Sequence, residues 1–266
     1  MTFSTPTAPL LQLYQLRKTY KEKTAVADLS LEVRRGEFFG FVGPNGAGKT
    51  TTIRMLSGLL RPDGGSVRIL GEDPFTAAGA AKSRLGLVLD DIGLYERLTA
   101  REHLELAAAL HGLSRPLGAQ RTEELLEFFS LTADADRMIL DYSLGMRKKT
   151  AIACALIHNP GLLVMDEPFT GIDPVATHAI KELLQLLVGR GLTVFFSSHV
   201  MELVEKLATR LAVLHEGRLR ALGDATQIKA AAGLPATASL EEAFVALVGG
   251  QQHGELRWLG ESGPVQ

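Results

Sequence analysis

Apolar and polar positions roughly alternate along LLQLYQLRKTY, residues 10–20, and along TAVADLSLEV, residues 24–33. A period of two marks a strand with one buried face, so both segments are predicted as half-buried strands. RRGE, 34–37, is a turn between strands. FFGFVG, 38–43, is a nearly continuous apolar run, which suits a strand covered on both faces. TTIRMLSGLL, 51–60, is predicted as a helix running up to the breaker cluster Arg61-Pro62-Asp63-Gly64-Gly65, and SVRILG, 66–71, as a further strand.

From 99 to 159 the pattern turns helical. TAREHLELAAALHGL has an apolar face at helical spacing, with Thr99 as N-cap and Glu102 as its capping-box partner. RTEELLEFFSL, 121–131, reads the same way. A third helix begins within YSLGMRKKT, 142–150, and is closed by Asn159-Pro160. LLVMD, 162–166, and TVFFSSH, 193–199, are predicted as buried strands, with the helix AIKELLQLLVGRG between them. LAVLHEGRLRAL, 211–222, reads as a hairpin turning at Glu216-Gly217, and SLEEAFVALVGG, 239–250, as a last helix. Strands alternating with helices predict an α/β sheet. The antiparallel-looking start and the 99–159 helices suggest side lobes. There is no internal repeat.

Composition narrows the class. At 266 residues, 46% of them hydrophobic, the chain can bury one large domain, or one domain and a small lobe. A net charge of −2 gives no global basic field for nucleic acid. The single cysteine, Cys154, lies in AIACAL and reads as a small core residue rather than a reactive thiol. No apolar run approaches the roughly 20 residues that span a bilayer. The start, MTFSTPTAPL, lacks the basic region and apolar core of a signal peptide. A cytosolic protein is expected, held by another polypeptide if it works at a membrane. Residues 1–9, rich in Thr and Pro, and the polar, Gly-containing 251–266 are expected to be loose.

GPNGAGKTT, 43–51, matches the pattern G-x-x-x-x-G-K-[ST] between a predicted strand and a predicted helix. Gly43, Gly46 and Gly48 let backbone N–H groups turn inward around phosphate oxygens, with Pro44, Asn45 and Ala47 between them. The helix beginning near Lys49 aims its positive end at the same charge. Lys49 is expected to reach the β- and γ-phosphates, and Thr50, beside Thr51, to bind Mg²⁺. LLVMDEP ends a strand in two carboxylates. Side chains alternate along a strand, so Asp166 and Glu167 point apart. Asp166 faces the metal near Thr50, and Glu167 is placed to polarise the attacking water. His199, after a second buried strand, is expected to contact the γ-phosphate.

Taken in order, GPNGAGKTT, YSLGMRKK, LLVMDEP, TGID and SSH resemble the ATP-binding subunit of an ABC transporter, over about residues 10–250. The resemblance implies a P-loop ATPase fold of the ABC type: a mixed, mainly parallel sheet core, an antiparallel β lobe and a helical lobe. The ATP-binding domain is then 10–223, with its helical lobe at about 99–159 and a helical extension at 224–250. YSLGM stands where the family signature, usually LSGGQ, is found. In that family two domains close head to tail, and the signature of one completes the ATP site of the other. Ser143 can cap the helix beginning near Leu144, and Gly145 allows close approach to phosphate. Met146 stands in place of the glutamine and Leu144 in place of a glycine. The basic run Arg147-Lys148-Lys149 either faces a partner's anion or is a solvated face. Tyr20 matches the aromatic that stacks on adenine, or is a surface tyrosine at a strand end. Asp173 matches the loop that couples the two sites. Asp90 stands where the family has a glutamine that touches Mg²⁺ and the membrane partner, with Asp91 the alternative if the register slips by one.

The implied cofactors are ATP and Mg²⁺. The implied partners are a second ATP-binding subunit and an integral membrane permease contacting about 75–112; no nucleic acid is expected. The direction is export, the place the cytoplasmic face of the membrane. The rival readings are a soluble ABC-type ATPase acting on nucleic acid or the ribosome, and an ATP sensor that barely hydrolyses.

Overall fold

The structure, a computed structural model, describes residues 9–76 and 81–249. Apart from Pro9, the two segments expected to be loose, 1–9 and 251–266, lie outside the described residues.

The first strands form a small antiparallel sheet. β1 (Leu11–Tyr20) lies between β2 (Lys23–Val33) and β4 (Gly64–Ile69), in the order β2-β1-β4. The alternation of β1 breaks at Gln15, whose φ is +46°, and the register shifts there.

The second sheet carries the chemistry. It contains β3 (Phe38–Val42), β5 (Leu85–Val88), β6 (Leu162–Met165), β7 (Thr193–Ser198), β8 (Arg210–His215) and β9 (Arg218–Gly223), in the order β5-β6-β7-β3-β8-β9. All neighbours are parallel except β8 and β9, the expected hairpin. Glu216 and Gly217 at its tip take φ values of +49° and +72°, as a tight primed turn requires.

Both faces of this sheet are covered, which explains its continuous apolar runs. Phe38, Val42, Leu163, Met165 and Phe196 join the core under the helical lobe. Phe39, Phe41, Leu162, Val164 and Phe195 join the core shared with the antiparallel sheet. Phe195 stacks on Phe39 with ring centroids 5.6 Å apart.

Parallel register also sets the geometry of one edge. Val88 pairs with Met165, Met165 with Phe196, and Val42 with Ser198. The residues that follow these strand ends, Gly43, Asp90, Asp166, Glu167 and His199, therefore emerge together at the carboxyl edge, where open α/β sheets bind ligands.

The helices are α1 (Lys49–Leu56), α2 (Ala100–Leu110), α3 (Arg115–Phe128), α4 (Leu144–Leu156), α5 (Pro174–Gly189), α6 (Met201–Leu207), α7 (Ala225–Ala231) and α8 (Leu240–Val248). The capping box of Thr99 and Glu102 forms as expected. Several outcomes differ from expectation; α5, for one, begins at Pro174, five residues ahead of the predicted AIKELLQLLVGRG. α1 stops at Leu56 rather than running to residue 60, because Gly58 takes φ +73° and the Leu59 and Leu60 N–H groups turn back onto the Arg54 carbonyl. α3 begins at Arg115, ahead of the predicted start, with Pro116 in its first turn. α6 was not anticipated; it has seven residues, too few to show a helical period.

Candidate active site

The loop between β3 and α1 is held from behind. A Cβ on Gly43 would lie 2.4 Å from the Leu214 carbonyl oxygen, and one on Gly48 would lie 2.3 Å from that of Ala25. Gly46 takes φ +80° with open space before it. Ala47 is buried; its N–H donates to the Pro44 carbonyl, and its own carbonyl accepts from the Gly217 N–H. Gly48 precedes α1 and offers no side-chain cap, so the first-turn N–H groups face the loop's concavity.

That concavity, about 370 Å³, is lined by Tyr20, Lys23, Ala25, Pro44, Asn45, Gly46, Gly48, Lys49, Thr50, Thr51, Asp90 and Glu167. Most of the residues predicted for one nucleotide site thus meet in one cavity. Asp90 lines it and Asp91 does not. Tyr20 sits on the rim, 45% exposed, at the end of β1. Lys23 pairs with Tyr20 across the β1–β2 turn and was not anticipated; that pairing across a tight turn is the signal that would have found it.

Lys49 is buried. Its Nζ donates to the Gly43 carbonyl at 2.7 Å and lies 3.4 Å from Glu167 Oε1. Glu167 Oε2 lies 2.9 Å from His199 Nδ1 and accepts a 3.3 Å hydrogen bond from the Thr170 hydroxyl. His199 is thus placed on Glu167 itself; like Asp166, Gly43 and Ala47, it is not part of the cavity's lining. Glu167 has φ +47°, a left-handed backbone uncommon for any residue but glycine. Its N–H donates to Ser197 Oγ at 2.9 Å, and that hydroxyl donates to Asp166 Oδ1 at 2.5 Å. Ser197, to which the sequence alone gave no role, therefore joins the two carboxylate residues. Asp166 is 2% exposed, and its Oδ2 is buried without a hydrogen-bond partner. Such an atom costs about 1–3 kcal/mol unless something satisfies it.

The signature residues lie elsewhere. Ser143 caps α4, its Oγ accepting from the Met146 N–H at 3.2 Å. Asp173 caps α5 through the Val175 and Ala176 N–H groups. A Cβ on Gly145 would lie 3.1 Å from Ala176 Cβ and 3.6 Å from Asp173 Oδ2, so this glycine sits where α4 meets α5. Ser143, Gly145, Met146 and Asp173 are absent from the lining of their own chain's cavity.

The basic run divides. Arg147 donates to the Leu140 and Tyr142 carbonyls. Lys148 is 3% exposed and donates to the Glu167 and Thr170 carbonyls at 2.9 and 2.8 Å, so for this residue neither a solvated face nor a partner's anion is the right description. Burial pushes its ammonium below the ordinary lysine range, against the pull of the Asp90 and Glu167 charges. Burial pushes the Cys154 thiol up to about 12, consistent with an unreactive core residue.

Residues 26–170 match the ABC transporter family. The linearmycin resistance ATP-binding protein LnrL of Bacillus subtilis (strain 168) is 40% identical over 219 residues, 82% of this chain and 70% of that protein. The Nod factor export ATP-binding protein I of Paraburkholderia xenovorans (strain LB400) is 42% identical over 213 residues, 80% of this chain and 70% of that protein. A solved ATP binding subunit of an ABC transporter superposes with a TM-score of 0.83 at 34% identity, covering 90% of this chain and 99% of that one. With a phosphate loop and paired carboxylates on one sheet edge and a signature helix apart from them, the chain belongs to the ABC transporter ATP-binding family and is an ATPase.

Proposed function

We propose that this chain energises a separately encoded membrane permease, in the direction of export, by ATP-driven head-to-tail pairing of two ATP-binding subunits. One observation carries the reading: the cavity is lined by Pro44, Asn45, Gly46, Gly48, Lys49, Thr50 and Thr51 of the phosphate loop and by the carboxylates of Asp90 and Glu167, while Ser143, Gly145, Met146 and Asp173 lie outside its lining. A second copy supplies them in the closed state. The ATP-binding domain is 10–223, with a helical lobe at about 99–159 and an extension at 224–250.

The residues divide the work as follows. Tyr20 stacks on the base. The N–H groups of 44–51 cradle the phosphates, and Lys49 leaves the Gly43 carbonyl for the β- and γ-oxygens. Among the described residues no three or more His, Cys, Asp or Glu side chains converge as a metal cage. Mg²⁺ keeps several waters and binds through one or two carboxylates together with phosphate oxygens. The unpaired Asp166 Oδ2, the Thr50 hydroxyl and Asp90 fit that need. Bound there, Mg²⁺ would offset the charge developing on the transferred phosphoryl group. Glu167 orients the attacking water and takes its proton, and His199 holds the Glu167 carboxylate and faces the γ-phosphate.

Among the described residues no helix is long and apolar enough to cross a membrane. An apolar groove of about 350 Å³, lined by Ile92, Tyr95, Leu106, Leu110 and His111 among others, supports docking of the permease within about 75–112. Tyr95 and Leu110 are 66% and 79% exposed there. The chain then works on the cytoplasmic face of the membrane. Relatives named for resistance and export favour this over action on nucleic acid or the ribosome.

The test is sedimentation of Glu167→Gln with and without MgATP. A monomer that becomes a dimer only with MgATP, and fails to when Ser143→Trp is added, is expected. A dimer indifferent to Ser143, or a monomer at saturating MgATP, overturns the shared-site reading.

A further inference from the structure

Glu167 departs from an ordinary strand end, with φ +47°. Left-handed backbone in a residue with a Cβ persists where its surroundings hold it. Here both ends are held. The Glu167 N–H is bound by Ser197 Oγ. The Glu167 carbonyl accepts from the Thr170 N–H at 3.3 Å and from Lys148 Nζ at 2.9 Å. The same ammonium also takes the Thr170 carbonyl, closing the 167–170 turn from outside. Phe169 within the turn packs edge-on against Phe196, which seats the turn on the sheet. The consequence is the direction of the Glu167 side chain, toward Lys49 and His199.

We propose that Lys148 is a positioning residue for hydrolysis: by clamping the carbonyls of Glu167 and Thr170 from the signature helix, it holds the Glu167 carboxylate in the attitude that activates water. The proposal rests on the reading of Glu167 as the water-activating group. Two features make Lys148 suited to this. Its long stem reaches across from α4 while its body stays buried. It also stands on the helix that Ser143 caps, so a shift of α4 caused by nucleotide at that cap reaches the Glu167 carbonyl through one side chain. A lysine with only a packing role would not need to give two hydrogen bonds to one four-residue turn.

Steady-state ATP hydrolysis tests it with Lys148→Met, Glu167→Gln and the double variant, each checked for an intact thermal transition. Lys148→Met keeps a stem of similar length and loses the donors. It is expected to lower kcat at least tenfold while KM for ATP stays within twofold. In the Glu167→Gln background the same substitution is expected to lower the residual rate less than twofold, because its effect passes through the Glu167 carboxylate. A merely structural lysine would lower the rate in both backgrounds. If Lys148→Met does not fold, Lys148→Gln, which reaches fewer acceptors, is expected to lower kcat at least threefold at unchanged KM. Wild-type kcat in the folded variant, or a raised KM with kcat kept, overturns the role of Lys148. Near-wild-type hydrolysis by Glu167→Gln instead overturns the reading of Glu167, and the two failures are told apart by that single variant.

Discussion

Ser197→Ala removes one oxygen that does two things. The hydroxyl donates to Asp166 Oδ1 at 2.5 Å and accepts the Glu167 N–H at 2.9 Å. Both serine and aspartate are buried, and Asp166 has no other hydrogen bond through its second oxygen. A hydrogen bond to a charged group contributes about 1.5–3 kcal/mol, and a buried orphaned N–H costs about 1–3 kcal/mol. A water entering the vacated space recovers part of this, so a net loss of about 3 kcal/mol is expected. For a chain of this size that is a fall in Tm of about 6–12 °C. Ser198→Ala is the control, because Ser198 is equally buried but its hydroxyl only accepts from the Val200 N–H in a local turn. Its loss is expected to stay near 1 kcal/mol. Urea unfolding of both variants, with kcat measured alongside, gives the comparison. Ser197→Ala is also expected to hydrolyse ATP more slowly, since the Glu167 amide is no longer held. If the two variants lose the same stability, or Ser197→Ala loses under about 0.5 kcal/mol, the bridging hydroxyl is not what holds the acidic strand end.

Two further outcomes follow from distinct features. Gly46→Ala meets open space and bears only the left-handed penalty of about 1–2 kcal/mol, so urea unfolding should show a stability loss of that size with ATP affinity kept within about threefold. Gly48→Ala drives a Cβ to 2.3 Å from a strand carbonyl and should reduce affinity more than about 100-fold; equal effects at the two positions would contradict the braced geometry of the loop. In the apolar groove beside Tyr95 and Leu110, burial and the stacked His111 ring push His158 down to about 4. The unfolded chain therefore takes up a proton first as pH falls below about 6.5, so this group's contribution to stability is present above that pH and is lost toward pH 4. The urea midpoint of wild type should fall between pH 7.5 and pH 5 by more than that of His158→Phe, and parallel falls would remove His158 from the account.

Much of the site was legible because its signals are local. The phosphate loop is contiguous, the two carboxylates close one strand, and the capping pair Thr99 and Glu102 is three residues apart. What escaped is what depends on neighbours distant in sequence. Ser197 has a role only because β6 and β7 lie side by side in register. Lys148 stands in a run of three cations, and such a run reads alike whether a member faces water or plugs a turn. Lys23 reaches the cavity through a strand pairing rather than a motif. The early end of α1 follows from Gly58, whose Cβ would approach the Pro74 carbonyl within 2.9 Å, a neighbour invisible to helical periodicity.

The β8–β9 hairpin tip has a consequence for how the molecule works. Gly217 donates to the Ala47 carbonyl and accepts from the Ala27 N–H, so the tip bolts the phosphate loop to β2 and to the sheet at once. An incoming triphosphate meets an anvil rather than a glove: it has no disordered loop to organise. Its affinity is then free of a folding penalty. At that anvil only the Lys49 side chain has to move, off the Gly43 carbonyl, and any larger shift on ATP binding or cleavage falls to parts not tied to it, α4 and the 167–170 turn.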